Sequence, residues 1–151
     1  MAASMELKFT VHTKIQKPVE EVFDGVYNPT KLSQYFATGG ASAPLDEGTT
    51  AYWSFADFPG PAAPVMVKQV TKNRLIVFEW GGENDSPLCR VELKFEPLED
   101  GSTLVSISES GWPSTQKGLE QSYGNCMGWS QMVSALKAFL EYGINLRKGA
   151  Y

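Results

Sequence analysis

Over residues 115–145 the apolar side chains Leu119, Tyr123, Cys126, Trp129, Val133, Leu136, Leu140 and Ile144 recur at intervals of three or four, while Gln121, Asn125, Gln131, Lys137 and Glu141 take the other faces. That period predicts one long helix with a single apolar stripe. At ~1.5 Å per residue it spans about 45 Å, and it is too polar to cross a membrane. The earlier chain carries a different period. Leu7, Phe9, Val11, Thr13 and Ile15 alternate with Lys8, Thr10, His12 and Lys14, which is a strand with one buried face. Cys89, Val91, Leu93 and Phe95 alternate in the same way with Arg90, Glu92, Lys94 and Glu96, as in an antiparallel sheet covered on one side only.

Further strands are predicted over 49–55, 65–71, 75–80 and 103–109, with an irregular strand or loop over 38–48 and turns at 72–73, 81–87 and 99–102. Between the first strand and the rest, Pro18 opens a helix whose apolar face is Val19, Val22, Phe23 and Val26. Asn28-Pro29 ends it, and a second short helix carries Leu32, Tyr35 and Phe36. Residues 57–64 hold Pro59, Pro61 and Pro64 and are predicted to be an irregular hairpin loop. Phe58 within it either lids a pocket or packs back on its own loop. The order is strand, helix pair, about six strands and long helix. It predicts a single α+β domain in which a curved antiparallel meander wraps around the C-terminal helix. A length of 151 residues suits one domain with a real core.

Composition narrows the function classes. A net charge of −4 leaves no basic footprint for nucleic acid or an anionic membrane surface. The N-terminal segment lacks a basic region followed by an apolar run, so no signal peptide and a cytoplasmic location are expected. Cys89 and Cys126 are then reduced thiols that serve as small hydrophobes. One histidine, on the polar side of its strand, and no Cys/His cluster argue against a metal. No GxGxxG or P-loop spacing is present, and no cofactor is expected.

Strand alternation places Glu109 on the face of Val105 and Ile107, aimed between sheet and helix. Burial without a cation would raise its pKa and make it a candidate acid or base. A carboxylate at a strand end also meets water or caps the following helix. Trp53, Phe55, Met66 and Trp80 from the strands are candidate lining residues for an apolar ligand, joined by Trp112, Tyr123 and Met127 near and on the long helix. Trp129 is assigned to the core. No nucleophile has a partner base, and Glu109 has no same-face carboxylate partner.

Three stretches carry a resemblance. Pro18-Val19-Glu20-Glu21-Val22-Phe23, Asn28-Pro29-Thr30-Lys31-Leu32 and Tyr35-Phe36 are similar to the pattern P-x-x-x-V-[WF]…[DN]-P-x-x-L-x-x-W-F of the START-like superfamily, also called SRPBCC, Bet-v-like or helix-grip. Residues 93–113 resemble its paired last strands ending in H-S-G-[FW], and Gly128-Trp129 with Ala135-Leu136 and Phe139-Leu140-Glu141 resembles its final helix. The branch resembled is the Aha-type one, named for the activator of the heat-shock ATPase. Tyr35 stands where that pattern has Trp, and Glu109 where it has His. The resemblance covers residues 9–141 and implies the helix-grip fold. The superfamily hosts lipid carriers, receptors, cyclases and co-chaperones, so fold alone does not choose among them.

The expected function is binding of a small hydrophobic or amphipathic molecule between the sheet and the C-terminal helix. The alternatives are a co-chaperone-like interaction module, implied by the resemblance, and a cyclase or hydrolase using Glu109. The expected partners are that small molecule, or a chaperone or other protein, with no nucleic acid and no membrane insertion. A homodimer is common in the superfamily.

Overall fold

The computed structural model describes residues 5–83 and 86–151. Seven strands form one antiparallel sheet: β1 (Leu7–Ile15), β2 (Gly40–Ala41), β3 (Thr50–Phe55), β4 (Phe58–Thr71), β5 (Leu75–Gly81), β6 (Leu88–Pro97) and β7 (Thr103–Trp112). Their spatial order is β1-β7-β6-β5-β4-β3-β2, so every neighbour is sequential except β1, which closes against the last strand. Helices α1 (Val19–Tyr27) and α2 (Pro29–Leu32) bridge β1 to β2, and α3 (Gln116–Tyr142) runs across the concave face. The α+β helix-grip architecture expected from the pattern is the one observed. Asn84 and Asp85 of the predicted 81–87 turn, and the first four residues of the N-terminal segment, lie outside the described residues. No helix among the described residues is long and apolar enough to cross a membrane.

The period-two signal sorted the sheet faces correctly. Along β6, Cys89, Val91, Leu93 and Phe95 are buried while Arg90, Lys94 and Glu96 face solvent, and along β7 Val105, Ile107 and Glu109 share the inner face. Cysteines 89 and 126 are free thiols. The predicted irregular loop at 57–64 is instead the start of β4. Pro59 and Pro61 are tolerated because β4 there extends past β5 and its pairing with β3 jumps from Trp53↔Ala63 to Phe55↔Phe58. Those positions have few ladder bonds to lose.

A second irregularity shapes the site. The β1–β7 register passes from Lys8↔Ser110 to Leu7↔Trp112, which leaves Gly111 as an extra residue. Gly111 has φ +123°, and a Cβ there would lie 2.7 Å from the Leu88 carbonyl oxygen. The bulge returns Trp112 to the inner face, where it is buried beside Leu7 and Cys89.

The long helix begins at Thr115, whose hydroxyl accepts from the Gly118 N–H, and ends at Gly143 in the left-handed conformation. Its buried stripe is Gly118, Ser122, Trp129, Met132, Val133, Ala135 and Leu136. The C-terminal half matches the sequence pattern. The N-terminal half is rotated by one position, so Gly118 and Ser122 face inward and Tyr123 faces out. The cause is close approach: a Cβ on Gly118 would sit 2.0 Å from the Pro113 carbonyl oxygen, so only the smallest residues fit that face. Ile144, assigned to the stripe, lies past the helix and is exposed. α3 packs along β1 and β7. Lys137 Nζ donates to the Lys14 carbonyl at 2.8 Å, and the Gln16 N–H donates to Glu141 at 2.9 Å, which pins its far end to the β1 edge. The other side of the helix, toward β3, β4 and β5, remains open.

Candidate functional site

The core beneath α3 is filled with aromatic rings. Trp53 lies 5.4 Å from Phe78 and 6.0 Å from Trp80, and Trp80 lies 5.4 Å from Trp129. The free space of the site is a cleft on the open side of the helix. It has three connected hollows. One of about 330 Å³ lies between Phe55, Phe58 and Trp80 of the sheet and Gly124, Met127 and Gly128 of α3. A second of about 420 Å³ lies beyond Trp80 and is bounded by Cys89, Glu109, Trp112, Gln121 and Asn125. The third, about 500 Å³, runs from Tyr35 and Phe36 under Met127 and Gln131 to Leu146 and Arg147 in the segment after α3.

Glu109 lines the second hollow, and two of its hydrogen-bond partners, Trp80 and Asn125, line both that hollow and the first. Glu109 is 1% exposed. Trp80 Nε1 donates to its Oε2 at 2.8 Å, Trp129 Nε1 donates to its Oε1 at 2.8 Å, and Asn125 Nδ2 stands 3.1 Å from both oxygens. One carboxylate therefore ties β5 and β7 to α3. Burial pushes its carboxyl above the ordinary range, while the N–H groups of Trp80, Trp129 and Asn125 and the Cys89 thiol pull back part of that rise. The Cys89 thiol is itself pushed up to about 12 by burial, and then by the Glu109 charge and hydrogen bond. These partners are all donors, so the arrangement suits a carboxylate held as an anion. No second carboxylate is among its partners, and His12 is exposed on the opposite sheet face.

The predicted site residues divide. Phe55, Trp80, Glu109, Trp112 and Met127 all line the cleft. Trp53 faces inward as expected but is sealed in the core at 1% exposure, with its Nε1 unpartnered. Met66 belongs to the other face: Val65 and Val67 on either side of it are in the core, so alternation turns Met66 outward. Tyr123 is 63% exposed, a consequence of the one-position rotation of the helix stripe. Trp129 is core, as assigned, yet its indole N–H reaches the site.

Four participants were not legible. Asn125 read as a polar-face residue. Gly124 and Gly128, one turn apart, open onto empty space, since a Cβ on either would meet nothing within 4 Å. Two interior glycines in one helix were the available signal, because each weakens the helix by about 1 kcal/mol relative to alanine. Arg147 had no signal, since it follows the helix and its placement is tertiary. Its guanidinium carbon stands 5.0 Å from the Phe55 ring centre, 5.5 Å from Phe36, 6.0 Å from Phe58 and 4.5 Å from Tyr151. Its Nη2 donates to Asp57 Oδ1 at 2.9 Å, and Nε lies 2.8 Å from Oδ2 as an ion-pair contact without hydrogen-bond alignment. Phe58 packs edge-on against Tyr151, so it meets the C-terminal segment rather than its own loop.

DynU16, from the dynemicin biosynthetic locus, superposes with TM-score 0.78 at 25% identity over 91% of this chain, which spans only 48% of DynU16. The Aha1 dimer from Colwellia psychrerythraea gives TM-score 0.73 at 18% identity, covering 91% of this chain and 98% of that one. PFC0360w, an HSP90 activator from Plasmodium falciparum, gives 0.69 at 20% identity, covering 88% and 95%. The last two likenesses show the fold alone. No curated protein matches significantly. The family model described as "Activator of Hsp90 ATPase homolog 1-like protein" matches residues 16–141, and with that span and this fold the chain belongs to that family, within the START-like superfamily.

Proposed function

We propose that the protein binds a small hydrophobic or amphipathic molecule in the cleft between α3 and strands β3 to β5. The observation that carries this reading is the glycine face of α3. Gly124, which is exposed, and Gly128, which is half-buried, line the hollow with Phe55 and Trp80, and a Cβ on either would meet nothing within 4 Å beyond its own helix backbone and chain neighbours. Helix propensity alone disfavours glycine there, and the apolar space it leaves, of about 330 Å³, is the size of ligand pockets. The apolar body of the ligand lies along Phe55, Trp80 and Met127, and the Glu109 cluster gives the neighbouring hollow a polar floor. Native mass spectrometry after incubation with a lipid and metabolite extract tests this. A stoichiometric adduct on the wild type that is lost in Gly128→Leu is expected. An adduct of equal intensity on both proteins would place the ligand elsewhere, and a wild type that takes up nothing would count against the cleft as a binding site.

A second reading, an interaction module acting on a chaperone ATPase, is supported by the family and by Tyr123 and Met127, two large side chains one turn apart on α3 that are each 63% exposed. Self-association on the same face belongs to this reading. Stimulation of an Hsp90 ATPase by the wild type, abolished in a Tyr123→Ser, Met127→Ser double variant, would support it; no stimulation by the wild type would end it.

A further inference from the structure

We propose that the hollow walled by Phe36, Phe55 and Phe58, with Asp57 at its rim, is a seat for an organic cation, held in this structure by the chain's own Arg147, so that the ligand of the cleft is a cationic amphiphile whose head displaces residues 144–151. This names the ligand class for the cleft-binding reading and rests on it.

The C-terminal segment is attached in an unusual way. Ile144, Leu146 and Tyr151 are all half exposed, so the segment buries no apolar side chain completely. Its largely buried side chain is a cation: the Arg147 side chain is 9% exposed. Beyond Arg147, the segment is held by Tyr151, which touches Phe58 and donates its hydroxyl to Gln131, and by a local turn in which Asn145 Oδ1 accepts the Arg147 and Lys148 N–H groups. A segment fastened by so few contacts sits at the low-stability end of the fold.

The seat itself is built without it. Phe36 follows α2, Phe55 ends β3 and Phe58 begins β4. Phe36 and Phe55 meet edge-on at 5.2 Å, which fixes both rings independently of the tail. Asp57 comes from the tight turn between β3 and β4. Aromatic faces and one carboxylate attract a soft, weakly hydrated cation such as an alkylammonium. They are a poor set for a metal ion, which needs several oxygen ligands. Among the described residues that line the three hollows, Arg147 is the only cation. With its side chain withdrawn, the charges facing the cleft are those of Glu109 and, at the rim, Asp57. The rings that hold Arg147 also line the hollow faced by Gly124 and Gly128, so a chain lying on the glycine face reaches the seat with its head.

The test compares dodecyltrimethylammonium with dodecyl maltoside, which has the same alkyl chain and a neutral head, both below their micellar concentrations. Binding to the wild type and to Arg147→Gln is read by tryptophan fluorescence, since Trp80 lines the hollow. Removing the internal competitor is expected to tighten the cationic probe roughly tenfold and to leave the neutral probe little changed. Adding Asp57→Asn to Arg147→Gln is expected to abolish that preference. If Arg147→Gln binds the cation no more tightly, or gains equally for both probes, the seat is overturned while the cleft stands. If neither probe binds either protein and circular dichroism shows both folded, the cleft reading falls as well. Should Arg147→Gln not fold, tetramethylammonium titrated into the wild type replaces it. Shifts of the 146–151 amide resonances, absent with sodium at equal ionic strength, support the seat, and identical responses to the two salts overturn it.

Discussion

Trp129 donates its indole N–H to Glu109 at 2.8 Å across the gap between α3 and β7, which ties the helix to the sheet. Trp53, equally buried, has no partner for its own indole nitrogen. The two tryptophans therefore separate packing from hydrogen bonding. Replacing either with phenylalanine removes a similar volume. Trp129→Phe also removes a donor to a charged acceptor, a bond of about 1.5–3 kcal/mol, whereas Trp53→Phe deletes an unsatisfied polar group. Urea denaturation should find Trp129→Phe less stable than Trp53→Phe by roughly 1–2 kcal/mol. Equal values would mean that the Glu109 bond contributes nothing net.

Glu109 makes stability depend on pH with a definite sign. Its folded pKa lies above the unfolded value of 4.5 because burial disfavours the anion. The unfolded chain therefore gives up this proton more readily than the folded one. Its contribution is fully present below pH 4.5 and is lost as pH rises through the folded pKa. In denaturation curves between pH 4 and pH 8, the wild type should gain stability relative to Glu109→Gln as pH falls toward 4.5 and then level off. The opposite slope would show that the four donors outweigh burial.

Gly128→Leu should fill the cleft without harming the fold. The new side chain enters open space, and the helix gains about 0.8–1 kcal/mol of propensity. The urea midpoint should hold or rise while ligand uptake disappears. A fall of more than about 1 kcal/mol would show that the space is needed for packing.

The two thiols should differ in reactivity. Cys89 is buried and its pKa is pushed up to about 12, so at pH 8 its thiolate fraction is on the order of 10⁻⁴. Cys126 is partly exposed. Iodoacetamide followed by intact mass should add one label to the native protein and a second only in denaturant. Rapid double labelling would contradict the Cys89–Glu109 contact.

Where each predicted element was legible, a local rule decided it. The alternation in β1, β6 and β7 named the inner face residue by residue, including Glu109, because a strand has only two sides. Prolines misled at 57–64, since proline forbids a strand paired on both sides but not an extension with a neighbour on one side only. Met66 was misassigned for want of one register position, and Tyr123 because apolar spacing alone cannot see that Pro113 crowds the helix start.

Period and alternation along the chain determined that an antiparallel meander would pack against one long helix, and that one carboxylate would face the space between them. Only the tertiary structure decided that Glu109 meets Trp80, Asn125 and Trp129, that two glycines leave a cleft, and that Arg147 enters it. The physical reason is that pattern specifies which side of an element is buried, whereas the distance between two elements depends on the bulk at a few contact points, here Gly111, Gly118 and Pro113, that come together only on folding.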